Sequence, residues 1–143
     1  MRLLALLLMG LLAGCASVAD LKPGTLSGGT KDGFEQTSEG LALTVRGRSL
    51  EDVWAATQRG ANVVTRTRAY VRIVDQKPNQ FIKIEGQNAV DSTVFYTGLF
   101  LVPLSDAIQV QATKLYLVRW VLVSYGPSEA DYLRAIQREL SQP

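Results

Sequence analysis

The sequence predicts an α+β domain, an antiparallel sheet of about five strands with two helices on one face, in the order β-α-β-β-β-β-α. Three observations lead there. Two amphipathic stretches each follow a Ser-x-x-Asp cap, at Ser49 and at Ser128, and a cap of this form marks a helix start. Between them lie alternating or strongly apolar runs broken by turn-forming residues, the pattern of strands. The connections are short, which favours neighbouring antiparallel strands with the helices gathered on one side.

The first strand is "GLALTVRG", Gly40 to Gly47, where Leu41, Leu43 and Val45 alternate with Ala42, Thr44 and Arg46. Ser49 then caps a helix whose first turn carries Glu51 and Asp52, acids that complement the positive end of the helix dipole. Leu50, Val53, Trp54, Thr57, Ala61 and Val64 recur at helical spacing and give it one apolar face. Gly60 weakens such a helix by about 1 kcal/mol relative to Ala, yet the periodicity continues to about Arg66.

Two alternating runs, Tyr70 to Asp75 and Gln80 to Glu85, flank Lys77-Pro78-Asn79 and predict a hairpin. "STVFYTGLFLVPL", Ser92 to Leu104, is an apolar strand that Pro103 ends. The stretch from Ala107 to Tyr125 is long for one strand, since strands usually have about 3 to 10 residues. A bulge or turn is therefore expected at Ala112 to Lys114. Ser128 caps the last helix, in which Tyr132, Leu133, Ile136 and Leu140 form the apolar face.

The N-terminus reads differently. Met1 and Arg2 precede "LLALLLMGLLA", Leu3 to Ala13, an uncharged run far short of the roughly 20 apolar residues that span a bilayer but suited to a signal-peptide core. The lone cysteine, Cys15, follows at once. Leu12-Ala13-Gly14-Cys15 resembles the lipobox of bacterial lipoproteins, in which a signal peptidase cuts before the cysteine and the thiol carries a diacylglycerol. The resemblance implies that residues 1–14 are removed, that Cys15 is the lipidation site, and that two or three acyl chains anchor the protein stably where one alone is marginal. Ala16 and Ser17 lack the aspartate that retains such lipoproteins in the inner membrane. The expected location is thus the outer membrane of a Gram-negative cell, lipid-anchored on its periplasmic face. An acylated Cys15 leaves no thiol for a disulfide.

"VADLKPGTLSGGTKDGFEQTSEG", Val18 to Gly40, is rich in Gly, Ser, Thr and charge and predicts a flexible tether of about 25 residues with an r.m.s. reach of roughly 25 to 30 Å. Phe34, its large apolar residue, is expected to dock on the domain. The expected organisation is a signal peptide at 1–14, a lipidated N-terminus and tether at 15–40, and a single α+β domain at 41–143. "SLEDVW" opening a helix, the hairpin, the further strands and a terminal helix bearing "DYLRAIQREL" together resemble small uncharacterised proteobacterial lipoproteins with a helix-grip module like that of BamC. That resemblance implies a fold and a compartment, not a reaction.

The chain contains no histidine, which removes Ser-His-Asp and Cys-His nucleophile systems and histidine-based zinc sites. No phosphate-binding glycine loop, dinucleotide fingerprint or calcium loop occurs. Asp75, Glu85, Asp91 and Asp106 near strand ends read as solvated turn residues, and a Ser-Lys dyad of Ser105 or Ser124 with Lys114 has no better support. The protein is expected not to be an enzyme, with no catalytic residues, no metal and no cofactor. Lys and Arg number 15 against 13 Asp and Glu, and loss of Arg2 leaves a near-neutral chain, which argues against a nucleic-acid partner.

The positive charge is uneven. Six arginines, at 46, 48, 59, 66, 68 and 72, face only Glu51 and Asp52 in that interval. Arginine suits bidentate contact with phosphate or carboxylate, so Arg59, Arg66 and Arg68 form a candidate contact surface for anionic lipid heads, cell-wall carboxylates or an acidic partner in an envelope protein complex. Trp54, Trp120, Tyr116 and Phe95 sit at apolar-periodic positions that favour core roles. The expected function is a non-enzymatic interaction or envelope-maintenance module. The alternative is a binding module for a hydrophobic or cell-wall-derived ligand, held in a pocket between the sheet and the C-terminal helix.

Overall fold

A computed structural model describes residues 21–87, 94–116 and 126–142. The fold is α+β, in the order βββ-α-ββββ-α: β1 (Leu26–Lys31), β2 (Phe34–Thr37), β3 (Gly40–Val45), α1 (Leu50–Arg66), β4 (Val71–Lys77), β5 (Phe81–Gln87), β6 (Val94–Pro103), β7 (Ile108–Tyr116) and α2 (Glu129–Ser141). All seven strands belong to one antiparallel sheet with the spatial order β1-β2-β3-β7-β6-β5-β4.

The sheet has two more strands than the pattern of alternation indicates, and both lie in the stretch expected to be a tether. Asp32 and Gly33 adopt φ of 55° and 86°, left-handed conformations that close a tight hairpin and pair Lys31 with Phe34. Phe34 is buried in the main core, as its docking requires. Upstream of β1 the chain is held as well. Leu21 is buried, and the backbone of Gly24 pairs with the side chain of Gln111 on β7.

The expected bulge at Ala112 to Lys114 is absent. β7 passes through it in unbroken register, with Ala112 opposite Leu41 and Leu99, Thr113 opposite Gly40 and Gly98, and Lys114 opposite Thr97. Strand pairing on both sides holds the centre of the sheet straight. Residues 117–125, expected to continue it, lie outside the described residues, as do Trp120, Ser124 and Asp91.

Register places Leu41, Leu43 and Val45 of β3, Ile108, Val110 and Ala112 of β7, Leu99 and Leu101 of β6, and Ile82 and Ile84 of β5 on one face. These join Val53, Trp54, Ala56, Ala61 and Val64 of α1 and Ala130, Tyr132, Leu133 and Ile136 of α2 in a continuous core. The alternate residues of the strands point to the opposite, outer face. α1 also solves a topological problem. β3 and β4 are four strand spacings apart, about 19 Å, and the 17 residues of α1 span about 25 Å, so the helix carries the chain to the far edge in one step.

Both helix starts are capped as expected. The Ser49 hydroxyl accepts from the Asp52 N–H at 3.1 Å. At Ser128 the box is reciprocal, with the hydroxyl accepting from Asp131 N–H at 3.2 Å and the Asp131 carboxylate accepting from Ser128 N–H at 2.8 Å. β4 is an edge strand and breaks register between Ile73 and Asp75. That bulge, with Arg72, Asp75 and Lys77 along the strand, discourages edge-to-edge pairing with another chain.

Candidate functional site

Among the arginines, most of the sequence-local excess is neutralised by residues distant in the chain. Arg46 pairs with Asp106, Arg72 with Glu85 at 3.4 Å, and Arg59 Nε donates to Glu139 Oε2 at 2.9 Å, tying α1 to α2. Arg48 Nη2 donates to the Leu140 carbonyl at 2.8 Å. Arg66 and Arg68 are exposed where α1 ends. Arg59 lies two turns before Arg66 on the same helix face but is committed to Glu139. The surface offered to an anion is therefore centred on Arg66 and Arg68. Cys15 lies outside the described residues.

Among the described residues the catalytic alternatives do not come together, while Asp91 and Ser124 lie outside them. Glu85 and Asp106 are each paired with an arginine, and Asp75 sits opposite Lys83 on the bulged edge. Lys114 donates to the Pro127 carbonyl at 3.0 Å and lies 4.8 Å from the centre of the Phe95 ring. Ser105, in the turn before β7, is separated from Lys114 by most of that strand, about 20 Å at 3.4 Å per residue. Among the described residues no three acidic or cysteine side chains gather as a metal site would require.

The outer face of the sheet carries organisation that sequence reading missed. Gln111 binds Gly24 twice: its Oε1 accepts from the Gly24 N–H at 2.7 Å and its Nε2 donates to the Gly24 carbonyl at 3.1 Å. The same amide nitrogen donates to Gln109 Oε1 at 2.7 Å, Gln109 reaches Thr44 at 3.4 Å, and the Thr44 hydroxyl donates to Glu35 at 2.7 Å. A polar chain thus runs from the N-terminal segment to β2. Beside it lie the apolar Phe81 and Phe100, with ring centres 6.4 Å apart, and Lys83 over the Phe81 ring at 5.1 Å. Next to these, Arg72, Glu85 and Tyr96 are cross-strand neighbours. Burial, then the charge of Glu85 and a hydrogen bond to it, raise the Tyr96 pKa above its usual value.

Three open hollows are lined by described residues. One of about 320 Å³ is lined by residues of β2 and β3 with Arg46, one of about 360 Å³ by Tyr70, Val71, Arg72, Glu85 and Gln87, and one of about 110 Å³ lies along the β1–β2 hairpin. None of the three lies between the sheet and α2. Trp54 and Phe95, two of the aromatic candidates, are buried.

Tyr132 on α2 is fully buried, and its hydroxyl finds no hydrogen-bond partner among the described residues. Burial first, then the charge of Asp131, push its pKa well above the tyrosine range, while nearby Arg68 acts in the opposite direction. Above pH 10, where an unfolded tyrosine ionises, the native state keeps a proton that the unfolded state loses. The stability linked to the protonated ring is fully present below that pH and falls above it by up to about 1.4 kcal/mol per pH unit. Denaturation of the protein and of Tyr132→Phe at pH about 8 and about 11 should show the variant losing less stability on going alkaline. Equal losses would mean that the ring is not held neutral.

No family model and no curated protein matches this sequence. No helix among the described residues is long and apolar enough to cross a membrane. The class that the fold defines is a seven-stranded antiparallel α+β domain with a clamped N-terminal segment.

Proposed function

We propose that this chain is an outer-membrane lipoprotein facing the periplasm, anchored through acylated Cys15 and acting as a non-enzymatic interaction or envelope-maintenance module. The observation that carries the reading is Leu12-Ala13-Gly14-Cys15 directly after a charged residue and an apolar run of signal-peptide length. Two further features support it. Glu85 and Asp106, two of the carboxylates that a reaction could use, are paired with Arg72 and Arg46, and Arg66 and Arg68 are exposed at the end of α1, where an anionic or acidic partner could reach them. In the resembled helix-grip modules a sheet likewise packs against a terminal helix.

The full-length protein, expressed in a Gram-negative host, should be recovered in the membrane fraction with a mass lacking residues 1–14 and carrying acyl chains on Cys15. Cys15→Ala should abolish the acyl mass and the membrane recovery together. Native protein retaining its first fourteen residues, or a variant that fractionates unchanged, would refute the reading.

The arginine surface has its own test. Arg66→Gln with Arg68→Gln should abolish a salt-sensitive association with envelope components, because a surface contact of this kind depends on charge. Arg59→Gln should instead act on the α1–α2 contact and leave that association in place. Undiminished association in the double variant would remove these residues from the interface.

A further inference from the structure

We propose that the hollow at the α1–β4 corner is a binding site for a sugar ring of a glycan chain, with Tyr70 as the stacking platform and Arg72, Glu85 and Gln87 as the groups that meet its hydroxyls. The site uses neither Arg66 nor Arg68 and does not depend on acylation of Cys15.

Tyr70 is at odds with its own backbone. Its φ is 63°, in the left-handed region that a bulky residue adopts only at a cost and that Gly or Asn takes more cheaply. The conformation itself serves the fold, since it sits where the chain turns from α1 into β4 and the Tyr70 carbonyl accepts from the Gln87 N–H at 3.0 Å. The ring does not. Tyr70 is 66% exposed and takes no part in the hydrophobic core, so burial does not offset the strain. An aromatic side chain that the backbone disfavours and the core does not use is free to meet something outside the chain.

The neighbours of the ring narrow what that is. Tyr70 lines a hollow of about 360 Å³ with Val71, Arg72, Glu85 and Gln87, within the range of roughly 300 to 1,000 Å³ typical of small-molecule sites. Arg72 and Glu85 stand opposite each other across β4 and β5, on the outer face of the sheet. They pair at 3.4 Å, so the hollow holds one cation and one anion and has no net charge to attract a phosphate or an ammonium group. Both keep unused capacity. Arg72 and Tyr96 occupy only part of what the Glu85 carboxylate can accept, and Arg72 is exposed with most of its donors open. Gln87 adds an exposed amide that both donates and accepts.

A bare ring beside hydrogen-bonding groups whose charges cancel suits a pyranose. The electron-rich face of the ring attracts the slightly positive C–H groups on one side of the sugar. The guanidinium and the carboxylate can each bond two adjacent oxygens, which matches neighbouring hydroxyls. A hydrophobic ligand would instead strip water from Arg72, Glu85 and Gln87 without replacing their hydrogen bonds.

In calorimetric titration the purified full-length protein should bind the β-1,4-linked N-acetylglucosamine tetramer or maltotetraose, the first marking an amino-sugar chain of the cell-wall kind and the second a plain glucan. Tyr70→Asn should weaken that binding about tenfold or more while leaving the urea midpoint unchanged or higher, because Asn accepts the left-handed backbone. Tyr70→Phe should bind within about threefold of the parent, since stacking needs the ring and not the hydroxyl. Failure of the parent to bind either tetrasaccharide at millimolar concentration overturns the proposal. Binding that Tyr70→Asn retains places the sugar elsewhere and overturns this site. A lower urea midpoint in Tyr70→Asn shows that the ring serves the fold and removes the reason for assigning it a ligand. Each of these outcomes leaves the reading of Cys15 where it stands.

Discussion

Gly60→Val is expected to cost about 3 kcal/mol or more of unfolding free energy, although helix propensity alone would penalise glycine at this position. Gly60 is buried in the middle of α1, where Ala is favoured over Gly by about 1 kcal/mol in a free helix. A Cβ there would stand 2.7 Å from Ile136 Cγ1, 2.8 Å from Ile136 N and 3.0 Å from Ile136 Cα. Two of those three atoms are backbone. A side chain could rotate away, but the α2 backbone moves only if the helix moves, and α2 is tied to the sheet through Leu133 and Tyr132. Overpacking of this kind costs about 1 to 3 kcal/mol or more, so even Gly60→Ala should end as a net loss despite its propensity gain. Valine adds two methyls and its β-branched propensity cost. Urea denaturation distinguishes the cases: a higher midpoint for Gly60→Ala would mean that the helices do not approach this closely.

The same residue shows how far local pattern reaches. Gly60 read as a weak point in a helix, and its actual role is to admit α2, 76 positions along the chain at Ile136. What depends on neighbours in sequence was legible. Ser49 and Ser128 announce their helices because a cap is satisfied within three residues, and Lys77-Pro78-Asn79 marks its hairpin because Asn79 takes a left-handed φ of 62°. The β1–β2 hairpin was misread as tether. Its strands, "LSGGTK" and "FEQT", bury little beyond Phe34 and Thr37 and so show no alternation. Its signal is the dipeptide Asp32-Gly33, a turn pair that outweighs the glycine-rich composition around it.

The candidate site divides in the same way. Counting charge along a window put Arg46, Arg59 and Arg72 into a local positive excess and Arg59 into the contact surface, whereas the acids that pair with them arrive from Asp106, Glu139 and Glu85 on other elements. All six arginines are exposed, but Arg46, Arg48, Arg59 and Arg72 are engaged by partners on other elements, and among the described residues Arg66 and Arg68 are the two without such a partner. The Gln111 clamp spans 87 positions, and glutamine in an alternating run reads simply as the wet side of a strand. Such a residue on an outer face is informative only when the thing it holds is known.

Leu133→Ala should be the second large loss, about 2 to 5 kcal/mol, against a total stability of roughly 5 to 15 kcal/mol for a domain of this size. Leu133 is fully buried in a cluster to which α1, α2 and the inner sheet face all contribute. Truncation removes three carbons and leaves a cavity that the sheet cannot close, because its strands are in register on both sides. How the loss is expressed depends on cooperativity. α2 is the last element of the chain and contacts β3 and β7 as well as α1. If it unfolds with the sheet, the denaturant midpoint falls while the slope stays constant. If the helix detaches first, the slope falls and far-UV helical signal is lost before the near-UV signal of buried Trp54. The density of the shared core favours the first outcome. An exposed control on the same helix, Gln137→Ala, should stay within about 0.5 kcal/mol of the parent, and a comparable loss there would mean that the cost of Leu133→Ala does not come from what Leu133 buries.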